Sequence, residues 1–405
     1  MNPLLSVADA LHLVCQHAQR RPTVELELGS SLLGLVLAED VAADLDVPPF
    51  DKSMMDGYAV RHDDLAAGQA VLTIVEEITA GKTPTKEIGA GQTARIMTGA
   101  VMPPGADAVV MVERSTLLNE QQVRLEDHPM AGQNILPRAK EMRQGEVVLR
   151  KGTILRPQEL GVLATVGQAT VPVYRPPVVA LLSTGDEIVE PREKPGPGQI
   201  RNSNAALLAG LTVRARGEPR YLGIAADTLD SLHSHVRQGL QVDVLLLSGG
   251  VSMGNLDLVP QVLQEEGVQP VFHKVAMKPG KPLFFGTKGT TLVFGLPGNP
   301  VSSFIGFELF VRPALRLLQG RTDAHPSMLR ARLAVAHQHK SDRPTYHPCQ
   351  AELRADGWWL TPIPWLGSAD LRALTSAHMF AILPAGQHQF TAGEWVDALA
   401  PELDL

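Results

Sequence analysis

Residues 242–303 decide the fold, and three segments of this stretch carry the argument. They read VDVLLLSGGVSMGNLDLV (242–259), HKVAMKPGKPLFFG (273–286) and TLVFGLPGNPVSS (291–303). The apolar run before Ser248 is typical of a strand buried on both faces of a parallel sheet. Glycines after such a strand let the backbone approach an anion closely, and exposed amide groups of the turn can hold a phosphate. The stretch therefore predicts an α/β domain with a phosphate-type site.

Charged residues surround this predicted phosphate site. Asp257 follows the glycine turn, and a carboxylate beside a phosphate indicates a divalent cation between them. The lysines at 274, 278 and 281 add positive charge, and Pro300 suits the first turn of a helix whose N-terminus is a second anion site. Each feature alone also has a structural interpretation, because glycine turns are common and lysines are usually solvated. Their combination favours a ligand site.

Strands and helices alternate from about residue 172, which predicts a doubly wound parallel sheet that includes the strand VQPVFHKV (268–275). Asp186, Glu187, Asp227 and Asp257 each follow a predicted strand, where ligands of such sheets bind. Converging carboxylates need a cation, and Mg²⁺ prefers oxygen ligands. Asp227 alternatively caps the helix after it. Zinc is disfavoured because the 13 histidines show no paired spacing there.

The flanking regions predict smaller modules. Ser6 and Asp9 resemble a capping box for a first helix that runs to about Arg20. Short strands and turns follow, and Pro313 is expected to interrupt the helix after GNPVSS. Beyond residue 326, short strands predict a small β barrel or sandwich.

Composition limits the class of protein. The 405 residues carry 36 basic and 43 acidic side chains, a net charge of −7, which gives no electrostatic footprint for nucleic acid. Two cysteines are too few for a disulfide framework. The N-terminus lacks the pattern of a secretory signal, and no apolar run is long enough to span a bilayer. We expect a cytoplasmic protein with no nucleic-acid or membrane partner.

The blocks SGGVSMGNLD, KPGKPLFFG and GLPGNPVSS resemble those of the molybdopterin molybdenumtransferases, the MoeA type that also forms the gephyrin E domain. The resemblance implies a multidomain fold with a central α/β molybdopterin-binding domain (173–324). It also implies an N-terminal linker and dimerisation domain (1–50 and 138–172), an inserted β-rich domain (51–137) and a C-terminal β-barrel-like domain (325–405). An elongated homodimer is implied, with the cleft between the sheet domain of one subunit and the small domains of the other.

Further residues are assigned through this resemblance. Asp56 in MDGYAV and Thr98 in TGA match family blocks near the cleft, although both residue types also serve turns. Arg343 and Ser368 resemble the family's C-terminal residues that face the cleft. The segment NILPRAKEM departs from the family pattern, so Arg138 supplies the expected charge only in a shifted position.

The implied reaction inserts molybdenum from molybdate into adenylylated molybdopterin, with Mg²⁺, and releases AMP. Asp56, Thr98, Glu187, Asp227 and Asp257 are the expected catalytic residues, and Asp186, Glu187, Asp227 and Asp257 the expected magnesium ligands. The expected substrate-binding residues are Ser248, Gly249, Gly250, Ser252, Gly254, Lys274, Lys278, Lys281, Pro297, Gly298, Asn299, Pro300, Arg138, Arg343 and Ser368.

Two other functions remain open at this point: a non-catalytic molybdopterin-binding scaffold and the related molybdopterin adenylyltransferase. The adenylyltransferase carries a TGGTG-type loop where this chain has SGGVSMG, and it lacks the N-terminal and C-terminal modules. The resemblance also implies two kinds of protein partner, namely the molybdopterin adenylyltransferase and molybdoenzyme apoproteins.

Overall fold

The structure, a computed structural model, describes residues 4–250 and 258–401. The chain divides into two compact units. The first unit contains Met1–Leu26, Leu32–Ala38 and Pro172–Leu405, and the second contains Glu27–Ser31 and Glu39–Val171. In the described part of the chain, no helix is long and apolar enough to cross a membrane.

The chain begins with helix α1 (Val7–His17), followed by strand β1 (Thr23–Glu27). The Ser6 hydroxyl accepts a hydrogen bond from the Asp9 amide at 3.1 Å and donates one to the Asp9 carboxylate at 2.7 Å. These two bonds confirm the predicted cap. The buried face of α1 packs into the core of the α/β sheet of the first unit.

The second unit is mainly β. Its strands are β2 (Val41–Ala42), β3 (Lys52–Ser53), β4 (Gly57–Val60), β5 (Ala70–Ile78), β6 (Gln92–Ile96), β7 (Ala108–Met111), β8 (Ser115–Asn119), β9 (Gln122–Leu125), β10 (Ile135–Leu136) and β11 (Val147–Leu149). Six of them form one sheet in the order β7-β4-β6-β5-β9-β8, in which only β5 and β6 run parallel. β10 pairs with β3, and β11 pairs with β2. Helix α2 (Pro157–Thr165) also belongs to this unit, and strand β12 (Thr170–Tyr174) pairs with β1.

The first unit contains the predicted α/β sheet. Its strands are β13 (Val178–Thr184), β16 (Glu218–Ala225), β17 (Val244–Ser248), β18 (Gln269–Lys274), β19 (Pro282–Lys288) and β20 (Thr291–Leu296), and the short strands β14 (Ile188–Val189) and β15 (Ile200–Arg201) pair beside it. The helices are α3 (Ser203–Arg214), α4 (Leu229–Gly239), α5 (Val259–Glu265), α6 (Pro300–Gly306) and α7 (Arg312–Leu318).

The sheet order is β16-β13-β17-β20-β19-β18, and the first four strands are parallel. The sequence predicted that 268–275 continues the parallel pattern, and β18 does run in the direction of the four parallel strands. The unpredicted strand is β19, which lies between β18 and β20 and is antiparallel to both. β18 and β19 are joined by a short loop, and parallel neighbours would need a longer crossover connection. Alternate residues of β13 face two separate apolar cores, as expected for a sheet covered on both sides.

The helix after GNPVSS does not stop at Pro313. α6 passes through a π-helical segment, Phe307–Val311, directly into α7, and Pro313 occupies the first turn of α7. Proline lacks a backbone amide donor and therefore breaks a hydrogen bond inside an ordinary α-helix. Here the wider π-helical turn precedes Pro313, so the helix continues without a hydrogen bond from that residue. The buried Glu308 of the π segment accepts hydrogen bonds from Arg214 at 2.5 Å and Arg312 at 2.6 Å.

The C-terminal region is the predicted barrel. It closes in the order β21 (Met328–Leu333), β24 (Gly357–Pro362), β23 (Thr345–Arg354), β25 (Met379–Leu383) and β27 (Trp395–Leu399). Strands β22 (His337–Ser341) and β26 (Gly386–Phe390) pair outside it, and α8 (Leu371–Leu374) precedes β25. Tyr346, Phe380 and Leu399 of the barrel belong to the same apolar core as the sheet. Both cysteines are free.

Candidate functional site

A cavity of about 390 Å³ lies in the first unit, at the carboxyl ends of the parallel strands. The chain passes from β13 to β16 on one side and then returns to β17 on the other, so the strand order reverses between β13 and β17. Ligands of open α/β sheets bind at this kind of reversal. The cavity is lined by Ser183, Thr184, Glu187, Ile188, Ile200, Arg201, Asn202, Ser203, Asn204, Ser248, Gly249, Gly250, Pro282, Pro297, Gly298 and Asn299.

The glycine turn after β17 is fixed by its backbone. Gly249 has φ +93° and Gly250 has φ +59°, a region that side chains disfavour. A Cβ on Gly249 would lie 2.6 Å from the Thr184 carbonyl oxygen, and one on Gly250 would lie 2.6 Å from the Thr184 hydroxyl oxygen. Both positions therefore require glycine, and the turn lies directly against the end of β13.

Asn204 ties this turn to the loop after β20. Its amide nitrogen donates to the Ser248 hydroxyl at 2.7 Å and to the Gly298 carbonyl at 2.8 Å. Asn202 caps α3 by accepting from the Ala205 amide at 3.1 Å, which fixes Asn204 in the first turn of the helix. The sequence did not predict Ser183, Thr184 or Asn204 in the site. The sequence NSN (202–204), which directly follows a strand, was the signal that could have indicated Asn204.

A polar network supports the same wall. The Asn202 side chain donates to Ser183 at 2.9 Å and to the Tyr221 hydroxyl at 3.0 Å, and Tyr221 donates to Glu190 at 2.8 Å. Burial and then the Glu190 carboxylate raise the pKa of Tyr221 to about 12. Tyr221 therefore stays protonated and acts as a fixed donor.

The loop with Pro297, Gly298, Asn299 and Pro300 meets the barrel. The Asn299 side chain donates to the Ser368 hydroxyl at 2.8 Å, and the Val301 amide donates to the Ser368 carbonyl at 3.0 Å. Pro300 opens α6, as predicted. The structure thus places Ser368 beside the predicted GNP loop, although the two are separated by about seventy residues of sequence.

Lys274 ends β18, and Lys278 and Lys281 lie on the loop from β18 to β19; all three side chains are exposed. The Lys278 amide donates to the Pro344 carbonyl at 2.9 Å, and the Tyr346 amide donates to the Lys278 carbonyl at 2.8 Å. The half-buried Arg343 directly precedes this contact. Lys278 and Arg343 are therefore brought close, whereas none of the three lysines lines the cavity within the described residues.

The predicted acids are partly brought together. Asp186 accepts a hydrogen bond from the Asp227 amide at 3.1 Å, because β13 and β16 are neighbours. Glu187 lines the cavity. Thr228, rather than Asp227, caps α4. Asp257, Ser252 and Gly254 lie outside the described residues, so their predicted roles stay predictions.

Asp56, Thr98 and Arg138 belong to the second unit. The Asp56 carboxylate accepts from the Thr98 amide and from the Thr98 hydroxyl, each at 2.7 Å. The Thr98 amide, followed by the Thr98 hydroxyl, lowers the pKa of Asp56. The Arg138 guanidinium donates to Asp46 at 2.6 Å. Thr98 thus holds Asp56 as an oriented carboxylate, and their predicted functional roles stay predictions.

The fold and the cavity define a class: an α/β ligand-binding protein with a β barrel on the same core. Family models match residues 5–167 (MoeA N-terminal region, domain I and II), 180–317 (probable molybdopterin binding domain) and 330–400 (MoeA C-terminal region, domain IV). The molybdopterin molybdenumtransferase of Bacillus subtilis is 36% identical, with 98% of this chain and 94% of that protein covered. The Staphylococcus aureus protein of the same name (strain Mu50) is 34% identical, with 100% of this chain and 97% of that protein covered.

A solved structure agrees with these sequence matches. The molybdopterin biosynthesis MoeA protein from Pyrococcus horikoshii superposes with a TM-score of 0.82 at 30% identity, with 98% of this chain and 100% of that chain covered. The chain therefore belongs to the molybdopterin molybdenumtransferase family. The predicted family, the multidomain fold and the transferase class are confirmed.

Proposed function

We propose that this chain inserts molybdenum from molybdate into adenylylated molybdopterin, releases AMP and depends on Mg²⁺. The observation that carries the proposal is the cavity at the strand reversal, which collects the glycine turn, the GNP loop and Glu187. Relatives of the full chain are named for this transfer. Cleavage of a phosphoanhydride asks the protein mainly for positioning and charge, and the site supplies both.

The roles divide between two ends of the site. Ser248, Gly249, Gly250 and residues 297–300 hold the phosphate-bearing substrate, because the turn brings backbone close to a bound group. Lys278 and Lys281, on the loop from β18 to β19, add positive charge near this end of the site. Ser252 and Gly254, which follow the glycine turn in the sequence, are assigned to the same substrate. Lys274, Arg343 and Ser368 attract the oxyanion at the barrel side, where the Val301 amide holds the Ser368 carbonyl by a hydrogen bond.

Magnesium suits the donor chemistry. Asp186, Glu187 and Asp227 offer oxygen ligands, and Mg²⁺ is often bound by one or two carboxylates together with substrate phosphates. Among the described residues no group of three or more His, Cys, Asp or Glu could hold a metal alone. We therefore assign Asp186 and Glu187, with Asp227 and Asp257, to a cation shared with substrate. When bound, the cation would neutralise charge on the phosphoanhydride.

The assembly is also part of the proposal. A homodimer would bring Asp56, Thr98 and Arg138 of one subunit to the sheet domain of the other, as the family resemblance implies. The division into four domains, the cytoplasmic location and contacts with the adenylyltransferase and with molybdoenzyme apoproteins belong to the same proposal.

The test incubates purified protein with adenylylated molybdopterin, Mg²⁺ and molybdate. It follows AMP release together with reconstitution of a molybdenum-dependent apoenzyme. We expect AMP only when molybdate is present, and loss of both signals in Glu187→Gln. Glu193→Gln, an exposed acid in the loop after β14, is the matched control and should behave like wild type. Binding of the substrate without AMP release under any oxyanion would reject the transferase proposal in favour of a scaffold.

A further inference from the structure

Helices α4 and α5 are joined near the protein surface by one histidine. Nδ1 of His233 on α4 lies 2.6 Å from a carboxylate oxygen of Glu266, and Nε2 lies 2.9 Å from a carboxylate oxygen of Glu265. A carboxylate can only accept a hydrogen bond, so both ring nitrogens must donate. The form of His233 that fits this geometry is therefore the protonated imidazolium.

Two further side chains hold the carboxylates in place. Arg237, one turn beyond His233 on α4, donates to Glu266 at 2.8 Å, and Gln261 on α5 donates to Glu265 at 2.9 Å. We name these five residues the α4–α5 clasp. Among the described residues, no carboxylate outside the clasp forms an ion pair with His233.

The strands beneath α4 leave the charge of the ring to the clasp. Strands β13 and β17 contain no charged residue, and in the described part of the chain Glu218 and Arg220 of β16 make no ion pair with His233. The hydrogen bond to Glu266 raises the pKa of His233, and the bond to Glu265 adds to this effect, while burial opposes it in part. The clasp therefore determines the protonation state of His233.

Helix α5 connects the clasp to the cavity. Glu265 is its last residue and Glu266 its C-cap, while Val259 is its first residue. A Cβ on Gly250 would lie 2.8 Å from Cγ2 of Val259, so this side chain packs directly against the glycine turn. The helix has seven residues, about 10 Å in length. A shift at the clasp is therefore transmitted through a short helix to the turn that lines the cavity.

We propose that His233 makes the cavity sensitive to pH: the protonated clasp holds α5 in place, and loss of the proton allows α5 and the glycine turn to shift. The inference rests on the proposed function, because it concerns regulation of the same site. A neutral imidazole keeps one N–H and presents a lone pair to the other carboxylate, which repels it. Attraction on one side of the ring thereby becomes repulsion.

The raised pKa of His233 sets the direction of the pH effect. The unfolded chain loses this proton near the ordinary value of about 6.5, whereas the folded chain keeps it to higher pH. The stabilisation by the clasp is therefore complete below that pH and is lost as the pH rises through the pKa of the folded state. Binding in the cavity should weaken over the same interval.

Calorimetric titration of the full-length protein with AMP, from about pH 6 to about pH 9, tests the inference together with NMR of the histidine Cε1 groups. We expect wild type to bind AMP about twofold to fivefold more tightly than His233→Gln at the lower pH, the range that partly exposed ion pairs give. The difference should vanish at the higher pH. The ratio of the two affinities at each pH cancels the titration of AMP itself. In the NMR titration, Glu266→Gln should lower the pKa of His233.

His233→Arg distinguishes regulation by charge from a role in packing. Arginine keeps its positive charge throughout this pH range and can still donate to both glutamates, so AMP binding should stay tight at the higher pH. His235→Gln on the same helix is the matched control, because His235 is bonded to the Ser231 carbonyl and, within the described residues, pairs with no carboxylate. Its affinity for AMP should follow that of wild type at every pH.

The outcomes distinguish the inference from the proposed function. A ratio of wild type to His233→Gln that stays constant with pH would overturn the inference, as would a His233→Arg protein whose AMP binding follows that of His233→Gln. Either result leaves the transferase proposal intact when AMP release with molybdate is normal. Wild type that binds no AMP at any pH would also overturn the inference, and the AMP-release assay would judge the proposed function separately. A ratio that falls with pH, without AMP release under any oxyanion, would support the inference and reject the proposed function.

Discussion

Gly249→Ala is the substitution whose effect the structure specifies most fully. The residue has φ +93°, and a Cβ there would lie 2.6 Å from the backbone oxygen of Thr184. The backbone oxygen cannot rotate away as a flexible side chain could. The substitution must therefore either keep a strained conformation or move the turn off β13.

The magnitude follows from two separable contributions. A left-handed conformation costs a non-glycine residue about 1–2 kcal/mol. Crowding in a packed region typically adds about 1–3 kcal/mol. We expect Gly249→Ala to lower the free energy of unfolding of the first unit by about 3 kcal/mol and to weaken AMP binding.

Two other glycines of the same unit separate the contributions. Gly289 has φ +56° with nothing within 4 Å of its Cβ position, so Gly289→Ala should cost about 1 kcal/mol. Gly298 is not among the positive-φ glycines, and its Cβ would lie 3.8 Å from the nearest atom. Gly298→Ala should therefore change stability by no more than about 0.5 kcal/mol.

Urea unfolding followed by tryptophan fluorescence measures the first unit selectively. All four tryptophans lie in its barrel region, at positions 358, 359, 365 and 395. If Gly249→Ala unfolds no more easily than Gly289→Ala, the argument from close packing against Thr184 is wrong.

Three further predictions concern charge and burial. Thr98→Val should raise the pKa of Asp56 in carboxyl NMR titrations, because one of its hydrogen bonds is lost. Burial lowers the pKa of His347 to about 4, so the unfolded chain binds a proton between pH 6.5 and 4 that the folded chain does not. Stability should fall as the pH falls through this window, by roughly 3 kcal/mol for this group, and His347→Gln should flatten the slope in urea unfolding. Glu308→Gln, which leaves two arginines without their buried carboxylate, should lower the free energy of unfolding by about 3–5 kcal/mol in the same assay.

Each of these predictions has a control. Thr98→Ser should keep the low pKa of Asp56. Because the Thr98 amide still lowers this pKa in Thr98→Val, an unchanged pKa in that variant, rather than a partly lowered one, would contradict the role of the hydroxyl. His12 on α1 is exposed, so His12→Gln is the matched control for the histidine-to-glutamine change itself. A loss below 1 kcal/mol in Glu308→Gln would mean that the ion pairs contribute little.

Much of the architecture follows from local pattern. The run before Ser248 and the alternation after residue 172 were sufficient for a sheet covered on both faces, and the Ser6 cap was correct. The antiparallel strand β19 was not predicted, because strand direction depends on the connection between strands and not on hydrophobicity. The continuation through Pro313 depends on a π segment for which the sequence has no separate signal.

The candidate site was predicted unevenly for a similar reason. Glycines and charged residues stand out in a sequence, so the turn, the GNP loop and Glu187 were found. Thr184 and Asn204 were missed because their side chains are ordinary strand-end and helix-start residues. The importance of Asn204 comes from its hydrogen bonds to Ser248 and Gly298, which are 44 and 94 residues away in sequence, and that of Thr184 comes from its close contact with the glycine turn.

The core shared by the barrel and the sheet has a consequence for motion. Phe310 of the π segment and Phe380 of the barrel belong to one continuous apolar cluster with Phe294 of the sheet. Separating the two modules would expose this cluster to water, at a cost of about 25 cal/mol for each Å² of apolar surface. Any opening or closing of the cavity next to Ser368 should therefore involve rearrangements of loops and side chains. The sheet and the barrel should move as one body during turnover.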